Sequence, residues 1–254
     1  MAGILFQIDE HVAALRDDGP RFAAAVERAG PDAAVPTCPD WTVRDLARHL
    51  GGVHRWATEV VTAPRTEPWS PDLDDVVGTW PDDAALVGWF LDGHAALVEA
   101  LAGADPGLAC FAFLPAPTPL AMWARRQAHE TAVHRVDAEL AAGVDGPFDA
   151  RLAADGVDEL LTGFVPRGTG LRADPPRSLR VGTVDVPGDW LVRIGPDGVG
   201  TAVGDPAPAD CEVTGPAAAV HLTLWNRRGP RGLTVAGDRA VLARFLDQVH
   251  VRWA

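Results

Sequence analysis

Residues 120–142, LAMWARRQAHETAVHRVDAELAA, decide the fold. The stretch holds no Pro or Gly, its small and apolar residues recur at helical spacing, and Gly143 follows, so it predicts one long helix from Leu120 to Ala142. Three further helical segments lie upstream. Ile8, Val12 and Leu15, then Phe22, Ala25 and Val26, fall on one face on either side of Gly19-Pro20, where a kink or break is expected. Thr42 with Asp45 three residues on forms a capping-box start for a helix carrying Leu46, His49, Leu50, Val53 and Trp56, which ends near Ala63-Pro64. A polar, Pro-rich connection runs to about residue 80. Pro81-Asp82-Asp83 then reads as the first turn of a helix with Leu86, Phe90, Leu91, Ala95 and Leu101. Four helices joined by loops of mixed length predict a four-helix bundle over residues 1–145.

Beyond AAGVDGPFD, residues 141–149, the texture changes. A helix is expected near residues 150–164, followed by strands at Ser178–Val186, Trp190–Ile194 and Val199–Val203. Pro187-Gly188-Asp189 and Gly195-Pro196-Asp197-Gly198 supply the turns of an antiparallel meander. CEVTG, residues 211–215, gives a short strand before a helix that ends at Trp225-Asn226; Leu233–Val235 and Asp238–Val249 give a last strand and helix. The fold class is therefore α+β in two domains, the second spanning residues 146–254.

Composition narrows the chemistry. The 254 residues carry 22 basic and 35 acidic side chains, a net charge of −13, and every basic residue is Arg. Without Lys there is no Schiff base, and without Tyr no phenolic acid or base. So acidic a surface is a poor partner for nucleic acid or anionic lipid. The start, MAGILFQIDEHVAAL, lacks a basic region before its apolar patch, and no stretch is long enough for a membrane span. Cys38, Cys110 and Cys211 are odd in number and far apart, which argues against a disulfide framework and for a cytoplasmic protein.

The remaining candidates are histidines and carboxylates. HETAVH, residues 129–134, is one residue longer than the zincin motif, so His129 and His134 point about 140° apart at about 100° per residue. Glu130 and His134, four apart, share a face and can offer oxygen and nitrogen to one metal. His49 lies on the apolar face of its own helix and is the candidate third ligand. His, Glu and His leave one open position on tetrahedral zinc, the arrangement of a catalytic site. Spacing alone leaves hydrogen-bonded core histidines as the alternative. His54 and His129 fall off the ligand faces. Arg126 and Asp137 are candidate orienters of Glu130 and His134, or ordinary helix pairs, and Cys38 is either a small filler or a neighbour of the site.

VPTCPDWTVRDLARHLGGVHRW, residues 35–56, together with WARRQAHETAVHRVDAE, residues 123–139, resembles the mycothiol-dependent maleylpyruvate isomerase family of the DinB-like superfamily. LTLWNRRG at 222–229 and LTVAGDRAVLARFL at 233–246 extend the likeness into the second domain. The resemblance implies a DinB-like bundle holding zinc, or another divalent metal, on His49, Glu130 and His134. It further implies mycothiol as thiol cosubstrate, and a site-facing Arg, matched best by Arg227 and next by Arg228. That Arg suits an anionic dicarboxylate substrate; at a helix end it equally suits the helix dipole. The expected function is isomerisation or S-transfer on a small electrophile. A metal-dependent hydrolase with zinc-bound water and a non-catalytic ligand-binding protein are the other readings.

Overall fold

The computed structural model of the chain describes residues 6–168 and 170–251; residues 1–5 of the apolar start lie outside them. The chain divides into two compact units, Phe6–Gly146 and the residues from Pro147 onward. No helix among the described residues is long and apolar enough to cross a membrane.

The first unit is helical, with α1 Ile8–Ala29, α2 Val43–Thr62, α3 Leu73–Val77, α4 Leu86–Gly103 and α5 Pro119–Ala141. The four long helices close a bundle in which α1 packs on α5 and α4, and α2 packs on the same two. Leu15, Phe22, Leu46, Leu50, Phe90 and Leu97 fill its interior, the Phe22 and Phe90 rings 4.6 Å apart. α2 starts as its capping residues dictate: the Thr42 hydroxyl accepts from the Asp45 N–H, and the Asp45 carboxylate accepts from the Thr42 N–H at 2.8 Å.

Two local expectations are corrected. Of the kink or break expected at Gly19-Pro20, the break is absent, since the first helix runs through both residues. Pro20 offers no N–H to the Arg16 carbonyl, and the neighbouring helix packs closely beside it: His94 of α4 lies over Gly19, and its Nε2–H donates to the Leu15 carbonyl at 2.9 Å. Only glycine leaves room for that ring, since a Cβ at position 19 would stand 2.2 Å from His94 Nε2. The helix expected from Pro81 begins at Leu86 instead, because the Asp82 carboxylate accepts from the Ala85 N–H and holds residues 82–85 as a turn. Within the Pro-rich connection, the Asp72 carboxylate accepts from the Asp74 N–H and starts the five-residue α3.

In the second unit, α6 Ala150–Asp158 continues into a π-helical turn, Glu159–Phe164. The strands are β1 Arg177–Thr183, β2 Asp189–Ile194, β3 Val199–Val203, β4 Cys211–Gly215 and β5 Thr234–Gly237, with α7 Ala217–Leu224 and α8 Arg239–Gln248. They form one sheet in the order β3-β2-β1-β4-β5, antiparallel except for the β1–β4 pair, which is parallel with Leu179 opposite Cys211. β3 and β4 thus run in the same direction, so residues 204–210 must carry the chain back along the sheet. Arg180 holds that return, its Nη2 donating to the carbonyls of Asp205 at 2.6 Å and Ala207 at 2.7 Å. α7 and α8 both pack on β1 and β4, burying Leu179, Val181, Val213 and Phe245.

Candidate metal centre

Glu130 and His134 lie one turn apart on α5, and α2 runs alongside with His49 directed at them. His49 Nε2 stands 3.3 Å and His134 Nε2 3.2 Å from the same oxygen, Glu130 Oε1. The three donor atoms lie within 4.8 Å of one another. Glu130 and His134 are buried, and the His49 side chain is 14% exposed.

The supporting contacts are of another kind. His134 Nδ1 donates to Asp137 Oδ2 at 2.8 Å, Arg126 Nη2 donates to Glu130 Oε2 at 2.8 Å, and the Thr37 hydroxyl donates to Asp137 Oδ1 at 2.6 Å. These have charge-assisted lengths. The two His–Glu130 separations are longer, and match the roughly 3.3 Å edge of a tetrahedron whose metal–ligand bonds are about 2.0–2.1 Å. With Nδ1 committed to Asp137 and Oε2 to Arg126, the atoms left over, His134 Nε2 and Glu130 Oε1, are the ones that face His49. The residues therefore fit a divalent metal bound by two imidazoles and one carboxylate.

Electrostatics agree with an ionised site. Burial acts to raise Glu130, but the His134 charge, hydrogen bonds from His134 and His49, and Arg126 outweigh it and hold the carboxyl well below its usual range. Burial likewise acts to lower His134, but the Glu130 charge and the Asp137 hydrogen bond push it up to about 9. With no metal bound, a proton takes the place of the ion between these two groups.

The loop before α2 is built to reach this centre. Val35 N–H donates to the Trp41 carbonyl and Trp41 N–H to that of Cys38, at 3.0 and 2.9 Å, tying residues 35–41 into a compact turn. That turn delivers Thr37 to Asp137 and places Cys38 Sγ 4.0 Å from Asp137 Oδ2. Trp41 stands 4.8 Å from the His49 ring and 6.2 Å from that of His134, by centroids. Sequence reasoning missed Thr37 and Trp41 as parts of the site, although both lie inside the PTCPDW segment. His49 also lines an open cleft of about 500 Å³ with Trp41, Arg48, Leu73 and Trp80.

The other histidines lie elsewhere. His54 is fully buried, 2.9 Å from the Thr131 hydroxyl and 5.7 Å from the His94 ring, and burial followed by the His94 charge holds it well below its usual range. His129 turns toward α1, edge-on to His11 at 6.0 Å. Arg227 lies just past α7, where Asn226 takes a left-handed conformation with φ 61°. Its N–H donates to the Leu222 carbonyl at 2.8 Å and its Nη1 to that of Trp225 at 2.9 Å.

Fold and site define a two-unit protein whose helical bundle presents a His, Glu, His donor set beside an aromatic cleft. Residues 12–139 match the mycothiol maleylpyruvate isomerase N-terminal domain, and residues 151–244 the MDMPI C-terminal domain. The chain belongs to the mycothiol maleylpyruvate isomerase family. It is similar in fold to two crystal structures of a mycothiol-dependent maleylpyruvate isomerase, one a His-to-Ala variant, with TM-scores of 0.62 and 0.63. Each is 14% identical, over 91% of this chain and 93% of theirs. No curated protein matches the sequence.

Proposed function

We propose that this chain is a zinc-dependent enzyme that uses a low-molecular-weight thiol, mycothiol, to isomerise a maleylpyruvate-like substrate or to transfer the thiol to a small electrophile. The observation that carries the reading is the convergence of His49 Nε2, Glu130 Oε1 and His134 Nε2 at the donor spacing of a tetrahedral ion. Family membership supports the thiol and the isomerase chemistry.

A zinc ion at these residues would lower the pKa of a thiol enough to supply the nucleophilic thiolate near neutral pH. The chain's part is to hold and orient. Asp137 keeps the His134 proton on Nδ1, which leaves Nε2 free to ligate, and Arg126 fixes Glu130 through its other oxygen. In isomerisation the thiolate adds to the conjugated double bond and its electron pair passes to the adjacent carbonyl. Rotation about the resulting single bond follows, the pair returns, and the carbon–sulfur bond breaks to release the thiolate. In S-transfer the adduct is protonated and released. We assign Arg227 to grip a carboxylate of an anionic substrate, which suits its fixed charge and planar fork. None of Cys38, Cys110 and Cys211 forms a disulfide, which supports a cytoplasmic setting where a thiol cosubstrate stays reduced.

Metal analysis of the purified chain tests the centre. About one divalent ion per chain is expected, lost in His49→Ala, Glu130→Ala and His134→Ala; retention in all three sinks the proposal. Thiol dependence tests the chemistry, since ester or amide hydrolysis without added thiol would mark a hydrolase instead. Arg227→Lys should raise KM for an anionic substrate while leaving metal content unchanged, and an unaltered KM would remove Arg227 from the site.

A further inference from the structure

The cleft beside His49 carries more chemistry than a metal site needs. His49 belongs both to the donor set and to the cleft wall, so a ligand seated there lies next to the metal position. The two aromatic walls, Trp41 and Trp80, are each only half-buried. Trp80 spends its indole N–H on Asp74 Oδ1 at 2.6 Å, which fixes the ring and leaves its face, rather than its donor, for a ligand.

The polar lining is mixed in sign. Asp40 and Asp45 are exposed carboxylates, and Asp45 uses Oδ2 on Thr42. Arg48 donates from Nη2 to the Pro81 carbonyl at 2.6 Å, while its buried Nε has no hydrogen-bond partner. Two carboxylates against one guanidinium disfavour an anion. Aromatic faces with carboxylate acceptors and the half-buried Arg48 guanidinium in the lining suit a neutral ring with apolar C–H faces and hydroxyl edges, because each hydroxyl both donates and accepts. The cleft's volume lies within the roughly 300–1,000 Å³ range of small-molecule sites.

We propose that this cleft binds a sugar or cyclitol ring, with the ring stacked on Trp80 and its hydroxyls on Asp40, Asp45 and Arg48. Resting on the thiol reading above, the ring is the glucosamine–inositol portion of mycothiol, seated so that its cysteinyl sulfur reaches the metal position. This deepens that reading by separating two tasks: His49, Glu130 and His134 serve the sulfur, and the cleft serves the glycoside.

Calorimetry on the metal-replete full chain tests it with two probes, mycothiol and N-acetylcysteine, which carry the same thiol with and without the glycoside. Mycothiol should bind at least about tenfold more tightly, which is about 1.4 kcal/mol. Trp80→Ala and Asp40→Asn should each weaken mycothiol about fivefold or more while leaving N-acetylcysteine binding and metal content unchanged. Equal affinity for the two thiols, or variants that leave mycothiol binding intact or weaken both probes alike, would overturn the assignment. Should Trp80→Ala fail to fold by circular dichroism, the exposed Asp40→Asn decides. If the parent binds neither thiol, the thiol reading itself fails. Titration with myo-inositol, followed by tryptophan fluorescence, then judges the cleft alone: a saturable change lost in Asp40→Asn supports a polyol site, and no change refutes it.

Discussion

Asp137 touches no substrate in this scheme, yet the metal centre should depend on it. Its carboxylate is fully buried, accepting from His134 Nδ1 at 2.8 Å and from the Thr37 hydroxyl at 2.6 Å. Asp137→Asn keeps the volume and can keep both contacts, with its amide oxygen toward His134 and its amide nitrogen toward Thr37. What it removes is the charge. A hydrogen bond to a charged group contributes about 1.5–3 kcal/mol and a neutral one about 0.5–1.5, so the change costs roughly 1–1.5 kcal/mol on the protonated or metal-bound imidazole. That corresponds to a tenfold loss of metal affinity, at the lower end of the roughly 10–100-fold range for partners that orient a ligand. His134 should also titrate below its parental value of about 9 in the metal-free protein. Competition against a chromophoric chelator measures the affinity, and histidine NMR the titration. Asp137→Ala, which leaves Nδ1 without its acceptor, should lose about 100-fold. An Asp137→Asn protein that binds metal within twofold of the parent, while His134→Ala has lost it, would refute the argument that Asp137 sets the imidazole's basicity.

Metal affinity should rise with pH, because the ion displaces the proton that His134 holds up to about pH 9. The slope should be about one log unit per pH unit between pH 7 and 9 and flatten above, and a flat profile would remove that proton from the exchange. His54 acts on stability in the opposite pH range. Its folded pKa lies below the unfolded value of 6.5, so the unfolded chain takes up a proton that the native bundle refuses, and stability should fall as pH drops below 6.5. The decline, about 1.4 kcal/mol per pH unit from this group, should shrink in His54→Gln, as read by urea midpoints. Gly19→Ala should destabilise by about 1–3 kcal/mol by displacing the His94 ring from over the helix; a neutral or stabilising result would show that α1 does not need that contact.

The sequence made parts of this protein legible because they are local. Thr42 and Asp45 announce the start of α2, Glu130 and His134 share a face by helical geometry alone, and turn residues punctuate the β1–β3 meander. Where neighbours intervene, local rules fail. Gly19-Pro20 reads as a kink or break, but α1 runs through both residues, with His94 of α4 packed over Gly19 and bonded to the Leu15 carbonyl, 79 positions away in sequence. The parallel pairing of β1 with β4 is invisible in a pattern of alternating residues, since alternation specifies which face is buried and not which strand lies beside it.

The candidate site divides along the same line. Residue types and spacing sufficed to nominate His49, Glu130 and His134, because an oxygen and a nitrogen one helical turn apart can meet on one ion wherever the helix lies. Tertiary structure alone decided that His49 Nε2 and His134 Nε2 address the same Glu130 oxygen, and that Asp137 and Arg126 hold the opposite atoms of those ligands. It alone turned the PTCPDW loop back on itself, setting Thr37 against Asp137 and Trp41 beside His49 at the mouth of a cleft. The physical reason is that propensity and spacing act within a turn or two of chain, whereas the distances that let side chains share an ion or a ligand are set by the packing of α2 on α5.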